Sequence, residues 1–288
     1  MTLLVLGAGG QVGKALIERA GNRARGLAHT DCDILNPSIV ERAIAAPEIS
    51  VVVNCAAYTA VDQAENERER AFAVNADGAG IVARAAAASG LPLIHLSTDY
   101  VYAGSHAGPY FESDPVAPIN AYGASKAAGD AAVAAANSTH LILRVSWVFG
   151  IHGRNFVKTM VRLGRERDEL RIVDDQVGGP TEARDIADAI LKLATVCQQP
   201  TFDAWGIYHF AGAPSTSWHG FALAIFERTA APSPRLIPIS SIDYPTPATR
   251  PRNSVLDCTR IRGVFDINQP DWGIALERVL AGISGLSG

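Results

Sequence analysis

A glycine-rich turn at the start of the chain constrains the fold more than any other feature. The apolar run Leu3 to Leu6 ends in Gly7-Ala8-Gly9-Gly10-Gln11-Val12-Gly13, and a segment of helical period begins at Gln11. Glycines allow a tight turn and let the backbone approach a pyrophosphate, whose charge is met by free N–H groups at the helix N-terminus. A strand, a glycine turn and a helix in this order favour a dinucleotide site over a purely structural turn. The candidate cofactor-binding residues here are Gly7, Gly9, Gly10, Gln11, Val12 and Gly13.

The first half of the chain repeats one rhythm, in which a short apolar run is followed by a helical stretch. The predicted strands are Leu3 to Leu6, Arg25 to Ala28, Val51 to Asn54, Leu93 to Ser97 and Leu141 to Val145. The predicted helices are Gln11 to Arg19, Pro37 to Ala45, Glu67 to Ser89 and Ala121 to Ala136. Strands apolar on both faces and separated by helices indicate a parallel sheet covered on both sides. We therefore predict a Rossmann-like, doubly wound α/β fold, which binds ligands at the carboxyl ends of its strands.

The rhythm breaks after Gly150, where shorter elements and loops rich in proline, serine and threonine follow. A chain of 288 residues has room for one large or two modest units. We predict an NAD(P)-binding domain over residues 1–150 and a smaller, mainly substrate-binding domain over residues 151–288. Some segments of the second half are expected to return to the sheet.

Composition excludes several classes of partner. The chain has 25 Lys plus Arg against 29 Asp plus Glu, so there is no global positive field to hold nucleic acid or an anionic membrane. The four cysteines are far apart, without a C-x-x-C pair, and no cluster of His, Cys and carboxylates has the spacing of a metal site. The N-terminus has no basic region of a signal peptide. We expect a cytoplasmic protein with reduced thiols and no metal.

Tyr122 and Lys126 are four residues apart in a predicted helix, and therefore share one helical face. A tyrosine donates a proton readily near neutrality only if its anion is stabilised, and lowering its pKa by about 3 units requires roughly 4 kcal/mol. One ammonium about 4 Å away supplies that much in a partly dry site. Thr98, at the end of the fourth predicted strand, can hydrogen-bond a substrate oxygen beside Tyr122; the alternative interpretation is a polar strand terminus.

These motifs together resemble the extended short-chain dehydrogenase/reductase family. The resemblance rests on the glycine turn, Asn54-Cys55-Ala56-Ala57, Ser97-Thr98 and Tyr122-x-x-x-Lys126. Longer stretches are similar to the dTDP-4-dehydrorhamnose reductases within it, namely residues 10–13, 56–65, 97–102, 144–149, 174–181 and 244–254. The likeness extends from residue 3 to about residue 280, so it is far more specific than the glycine turn alone.

The resemblance implies reduction of the C4 keto group of dTDP-4-dehydro-6-deoxy-L-mannose to dTDP-L-rhamnose by NADPH or NADH, in a homodimer. It implies that Thr98, Tyr122 and Lys126 are the catalytic residues. The implied cofactor contacts beyond the glycine turn, Tyr122 and Lys126 are Asp33 and Ile34 on the adenine side and Ala56, Ala57, Tyr58 and Thr59 after the third strand. The implied contacts to the sugar nucleotide are Thr98, Asp99, Tyr100, Trp147 and Arg250.

Several alternatives stay open from the sequence. The position after the second strand that often selects between NADH and NADPH carries His29, so both cofactors fit. Asp99 also fits a turn, Trp147 a core indole, Arg250 a solvated surface arginine and His95 a packed core histidine. A sugar-nucleotide epimerase or dehydratase of the same fold, or a cofactor-binding regulatory subunit, is the competing function.

Overall fold

A computed structural model describes residues 1–229 and 233–285, so the predicted second domain includes two short stretches outside the described residues. The strands are β1 (Thr2–Leu6), β2 (Ala24–Leu27), β3 (Ile49–Asn54), β4 (Leu93–Thr98), β5 (His140–Val145), β6 (Val148–Phe149), β7 (Glu169–Val173), β8 (Val177–Gly178), β9 (Thr181–Glu182), β10 (Gly206–Phe210), β11 (Thr216–Ser217) and β12 (Arg235–Ile239). The helices are α1 (Gln11–Ala20), α2 (Pro37–Ile44), α3 (Arg68–Phe72), α4 (Ala79–Ala88), α5 (Ala121–Ala136), α6 (Phe156–Glu166), α7 (Ala183–Val196), α8 (Trp218–Arg228), α9 (Thr259–Phe265) and α10 (Trp272–Gly285).

The central element is a six-stranded parallel sheet with the order β10-β5-β4-β3-β1-β2. The order reverses beside β1, because the chain first adds β2 on one side and then β3 on the other. The loops after β1 and β3 therefore meet at the switch point where doubly wound sheets bind ligands. This confirms the predicted Rossmann-like fold class.

Apolar residues cover both faces of the sheet. On one face, α1 and α7 pack against β1, β3 and β5, while α2, α4 and α5 cover the other. Two of these contributions come from the second half of the chain, since β10 pairs with β5 and α7 lies against α1. The sheet is thus completed by segments that follow residue 150.

A separate apolar cluster joins α6, α8 and α10 with β7 and β12. Its strands form a parallel pair outside the central sheet. This cluster lies in the second half of the chain, and its residues are separate from the clusters that cover the sheet. Among the described residues, no helix is both long and apolar enough to span a membrane.

The predicted helix Glu67 to Ser89 is interrupted, which sequence periodicity did not indicate. Residues Ala73–Gly78 form a π-helical segment between α3 and α4. Asn75, in this segment, bonds through its side chain to both backbone groups of Tyr58 and to the Ser125 hydroxyl. Such bulges commonly occur at functional sites, and this one fastens the loop after β3 to α5.

Candidate active site

The glycine turn combines two tightly packed glycines with an open one. Gly7 has a positive φ of 78°, and a Cβ there would lie 2.5 Å from the Ala56 backbone nitrogen. A Cβ on Gly13 would lie 2.3 Å from the Gly7 carbonyl oxygen. At Gly9, by contrast, a Cβ would meet only Ala28 Cβ, at 3.7 Å. The turn is therefore held close to the loop after β3 and leaves space over Gly9 for a ligand.

The N-terminus of α1 follows directly from this turn. Gly10 is the N-cap residue of α1, and among the described residues no side chain caps this end of the helix. Gln11 accepts a hydrogen bond from the Asn155 amide, at 3.0 Å, which links the turn to the second half of the chain. Val12 is buried against the sheet. The first N–H groups of α1 are thus available to an anion.

The candidate adenine-side residues lie beyond β2. The Asp33 carboxylate accepts a hydrogen bond from the Leu35 backbone N–H, and Ile34 is buried beside Gly78. The His29 side chain is 82% exposed, and its Nδ1 lies 3.9 Å from Asp33 Oδ1. Asp33 therefore stabilises the turn before α2, while its contact to a cofactor stays a prediction.

The segment after β3 contains Ala56, Ala57, Tyr58 and Thr59, which are half-buried or exposed. Ala56 donates its backbone N–H to Asn54 Oδ1, at 3.1 Å. Together with the hydrogen bond that the Tyr58 backbone N–H donates to Asn75 Oδ1, this bond fixes the segment beside the glycine turn. Sequence reasoning missed Asn75, whose signal was a lone amide in an alanine-rich helix.

Thr98 and Tyr122 meet at the carboxyl end of β4. The Thr98 hydroxyl donates to Asp99 Oδ1, at 2.9 Å, and accepts from the Tyr100 backbone N–H. Asn120 caps α5 by accepting from Gly123 N–H at 2.7 Å, which fixes Tyr122 in the first turn. Burial raises the pKa of Tyr122, and the neighbouring Thr98 hydroxyl offsets part of that rise.

Lys126 is 2% exposed, and its contacts differ from the sequence expectation. Its Nζ donates to the Leu96 carbonyl oxygen, at 2.8 Å, and lies 3.5 Å from His95 Nε2. Burial lowers the pKa of Lys126 to about 8. The expected lowering of the Tyr122 pKa by Lys126 is absent, because burial of the phenol dominates and the amine is held by β4.

The proposed sugar-binding residues next to Thr98 are tied into the protein. Asp99 is 2% exposed and accepts from Ser146 Oγ as well as from Thr98, each at 2.9 Å. Burial raises the pKa of Asp99 to about 6. The Tyr100 ring contacts that of Tyr122 edge to face, with centroids 5.9 Å apart. Asp99 thus supports the end of the strand, whatever it contacts in a ligand.

Trp147 is half-buried and belongs to an aromatic stack. Its indole lies parallel to that of Trp218, with centroids 3.5 Å apart, and its Nε1 donates to Ser254 Oγ. The residue has a positive φ of 46°, and a Cβ on Gly178 would come within 2.5 Å of the indole. The core-indole interpretation is therefore wrong. Sequence reasoning missed Trp218, which is far away in the chain.

Arg250 forms an ion pair with Asp62. Its Nη2 lies 2.8 Å from Asp62 Oδ2, and its Nη1 donates to Asp62 Oδ1 and to Thr246 Oγ1. The Asn120 side chain donates to the Thr249 carbonyl oxygen, at 2.8 Å. The solvated-arginine interpretation is thus wrong, since the guanidinium fastens a loop of the second half to the segment after β3. Sequence reasoning missed Asp62, although it lies within a stretch that carried the resemblance.

Comparison with known proteins agrees with these features. The profile of the RmlD substrate binding domain matches residues 1–284. The dTDP-4-dehydrorhamnose reductase of Aggregatibacter actinomycetemcomitans is 42% identical over 97% of this chain and 98% of its own, and that of Escherichia coli K12 is 38% identical over 97% of each. The crystal structure of the Bacillus anthracis dTDP-4-dehydrorhamnose reductase in complex with NADP superposes with a TM-score of 0.91, at 38% identity, over 98% of this chain and 99% of that one. The chain therefore belongs to the RmlD substrate binding domain family.

Proposed function

We propose that this protein is a dTDP-4-dehydrorhamnose reductase, which uses NADPH or NADH to reduce the C4 keto group of dTDP-4-dehydro-6-deoxy-L-mannose to dTDP-L-rhamnose. The single observation that carries the proposal is the meeting of Thr98, Tyr122 and Lys126 at the carboxyl end of β4, on the sheet edge that also holds the glycine turn. Family membership and the relatives' names support the same reaction.

The residues around the switch point fit a dinucleotide. The open space over Gly9 and the uncapped start of α1 suit a pyrophosphate. Ala57 and Thr59 lie in the fixed segment after β3 and would continue the cofactor's path. When bound, the reduced nicotinamide supplies the hydride for the C4 carbon. The first 150 residues would hold this cofactor, while the second half, mainly, would hold the sugar nucleotide.

Tyr122 would donate the proton that completes the reduction. Because burial raises its pKa, the phenol keeps its proton at neutral pH and can deliver it to the C4 oxygen. The phenolate left behind would be stabilised by the Thr98 hydroxyl and by the Lys126 ammonium one helical turn away, whose Nζ in the free protein bonds to the Leu96 carbonyl oxygen instead. Thr98 has one hydroxyl proton, which Asp99 accepts in the free protein, so Thr98 would turn that proton from Asp99 toward the substrate oxygen.

The substrate's diphosphate and sugar would lie toward the second half of the chain. The Arg250 guanidinium interacts with Tyr100 and can bind two phosphate oxygens at once, and Thr249 beside it accepts a hydrogen bond from Asn120 at the start of α5. The parallel indoles of Trp147 and Trp218 offer a flat apolar wall. Asp99 and Tyr100 would border the sugar. The homodimer and the cytoplasmic location stay predictions.

The test is to mix the protein with dTDP-4-dehydro-6-deoxy-L-mannose and follow loss of reduced-cofactor absorbance, with NADPH and NADH in parallel. We expect stoichiometric cofactor oxidation by the wild type. Tyr122→Phe should lower kcat by about 10²–10⁴-fold, because it removes the proton donor. The ratio of the two rates gives the cofactor preference.

Tyr208→Phe is the matched control, since it removes a buried phenol hydroxyl that bonds to the Ala204 carbonyl oxygen, on a strand outside the site. It should keep the wild-type kcat. If the wild type binds cofactor in a fluorescence titration but oxidises none of it, the reductase is ruled out. Conversion of the sugar without net cofactor oxidation would instead identify an epimerase.

A further inference from the structure

Four groups behind the site form a chain of contacts that ends at Lys126. The Ala56 backbone N–H donates to Asn54 Oδ1, at 3.1 Å. Asn54 Nδ2 lies 3.2 Å from His95 Nδ1, and His95 Nε2 lies 3.5 Å from Lys126 Nζ. Asn54 and His95 are each 1% exposed, so solvent does not take the place of these partners. The direction of each hydrogen bond therefore follows from the one before it.

 The Ala56 backbone N–H fixes the direction of every hydrogen bond in this chain of contacts. Because a backbone N–H can only donate, Asn54 must present its side-chain oxygen to Ala56 and its NH₂ group to His95. His95 Nδ1 is then an acceptor. Burial lowers the pKa of His95, so the imidazole is neutral and carries its one proton on Nε2. That proton points toward Lys126.

An ammonium at Lys126 would leave two donors facing each other. It carries three N–H groups and no lone pair, so it cannot accept from His95 Nε2–H. A neutral amine can accept that proton while it donates to the Leu96 carbonyl oxygen, 2.8 Å away. The opposite histidine tautomer only moves the conflict to Asn54. The neutral amine is thus the one form in which every contact of the chain pairs a donor with an acceptor.

We propose that His95 is a positioning residue that presents an N–H to Lys126 Nζ and thereby favours the neutral amine in the free protein. The catalytic consequence rests on the proposed function, in which the ammonium form stabilises the Tyr122 phenolate. The charge of Lys126 in the free protein does not depend on that function. His95 in this way limits the pH range over which Lys126 is charged.

Three other titratable groups act on His95 and Lys126, namely Asp130, Cys55 and His140. Burial lowers the pKa of Lys126 to about 8, and Asp130 on the same helix offsets part of that change. The Cys55 thiol, after β3, is neutral because burial raises its pKa to about 12. His140 on β5 adds to the lowering of the His95 pKa. Asp130 is therefore the anion that opposes His95 in setting the charge of Lys126.

The chain is well suited to a direct test, because it contains only four lysines, Lys14, Lys126, Lys158 and Lys192. Protein with ¹³C-labelled lysine side chains gives one titration curve for each, and Lys126→Arg identifies the Lys126 signal. We expect Lys126 to titrate near pH 8 in the free wild type. His95→Gln should move that midpoint up by about one pH unit, because the amide can turn its oxygen toward Nζ.

Lys158 is the internal control, since its Nζ also donates to a backbone carbonyl oxygen, that of Ile151, but on α6 rather than beside His95. Its curve should be the same in both proteins. An unchanged Lys126 midpoint in folded His95→Gln overturns the proposal. So does a wild-type ¹⁵N-histidine spectrum with the His95 proton on Nδ1, a measurement that needs no variant.

A pH profile separates this inference from the proposed function. If the protein is the reductase, the alkaline limb of kcat should move to higher pH in His95→Gln together with the Lys126 midpoint. If it has no reductase activity, the proposed function is wrong, while the titration of the free protein still decides the role of His95.

Discussion

The Tyr122 side of the site and the Arg250 side are held together differently. Thr98, Asp99 and Lys126 are at most 7% exposed and bond to neighbours on β4, α5 and the segment after β5. Arg250 and Asp62 have side chains that are 22% and 40% exposed, and they join two loops. The first region is a buried framework within the sheet. The second is a half-exposed contact between a loop of the second half of the chain and the segment after β3.

This difference predicts where substitution changes stability and where it changes binding. A buried polar group without its partner destabilises the fold, because it cannot exchange that partner for water. A half-exposed ion pair contributes less to stability, since water replaces the lost partner. Substitutions on the Tyr122 side should therefore change mainly the free energy of unfolding, and substitutions on the Arg250 side mainly KM.

The largest effect on stability is expected behind the Tyr122 side. Arg144 Nε lies 3.0 Å from Asp130 Oδ2, and both side chains are at most 5% exposed. Arg144→Met leaves a buried carboxylate unpaired and should lower the free energy of unfolding by about 3–5 kcal/mol, measured by urea unfolding at pH 7. Arg162→Met, at the exposed Arg162–Glu166 pair, is the control and should cost about 0.5 kcal/mol or less. Equal effects would remove the distinction between the regions.

A smaller effect, on substrate binding, is expected on the Arg250 side. Arg250→Ala removes the guanidinium proposed to bind the diphosphate, and a charged hydrogen bond contributes about 1.5–3 kcal/mol. KM should rise about 10–100-fold with kcat nearly unchanged, measured in the reductase assay. Arg235→Ala, at an exposed pair with Glu169, is the control and should leave KM unaltered. A loss of stability without a change in KM would mean that Arg250 only fastens its loop.

The smallest effect is a pH response of opposite sign in two carboxylates. Burial raises the pKa of Asp99 from 3.8 to about 6, so the folded state holds a proton that the unfolded chain releases, and stability should fall as pH rises from about 4 to 6. The Arg250 hydrogen bond lowers the pKa of Asp62, so its contribution is present above about pH 4 and is lost as pH falls.

Urea unfolding between pH 3 and 7 measures the free energy of unfolding and checks both predicted directions of its pH dependence. Asp99→Asn should flatten the decline between pH 4 and 6, whereas Asp62→Asn should reduce the loss at the acid end. The same slope in the wild type and in Asp99→Asn would contradict the first expectation. Parallel curves for the wild type and Asp62→Asn below pH 4 would contradict the second.

Local patterns in the sequence were sufficient for most of the fold. Helix α5 begins and ends where it was predicted, because Asn120 caps it and the alanine-rich stretch has high helix propensity. The π-helical segment was not predicted, since it depends on Asn75 bonding to Tyr58 and Ser125. Periodicity detects which face of a helix is buried, but not a side chain that rearranges the helix.

The candidate site was predictable only where its residues follow strand ends. Thr98 and Tyr122 come from motifs whose positions the parallel sheet brings to one edge. The contact of His95 with Lys126 and the stack of Trp147 on Trp218 join residues far apart in the chain. Arg250 and Asp62 are 188 residues apart. The direction of the Tyr122 pKa was missed because it depends on burial, which only the packed structure reveals.

The place of β10 beside β5 bears on how the chain is made. During synthesis β5 emerges from the ribosome with one edge unpaired, and β10 follows only after α6 and α7. A nascent chain that stops in between would expose a strand edge able to pair with other chains. Protection of that edge by a chaperone, or a pause until β10 emerges, would therefore favour a correctly finished molecule over an aggregate.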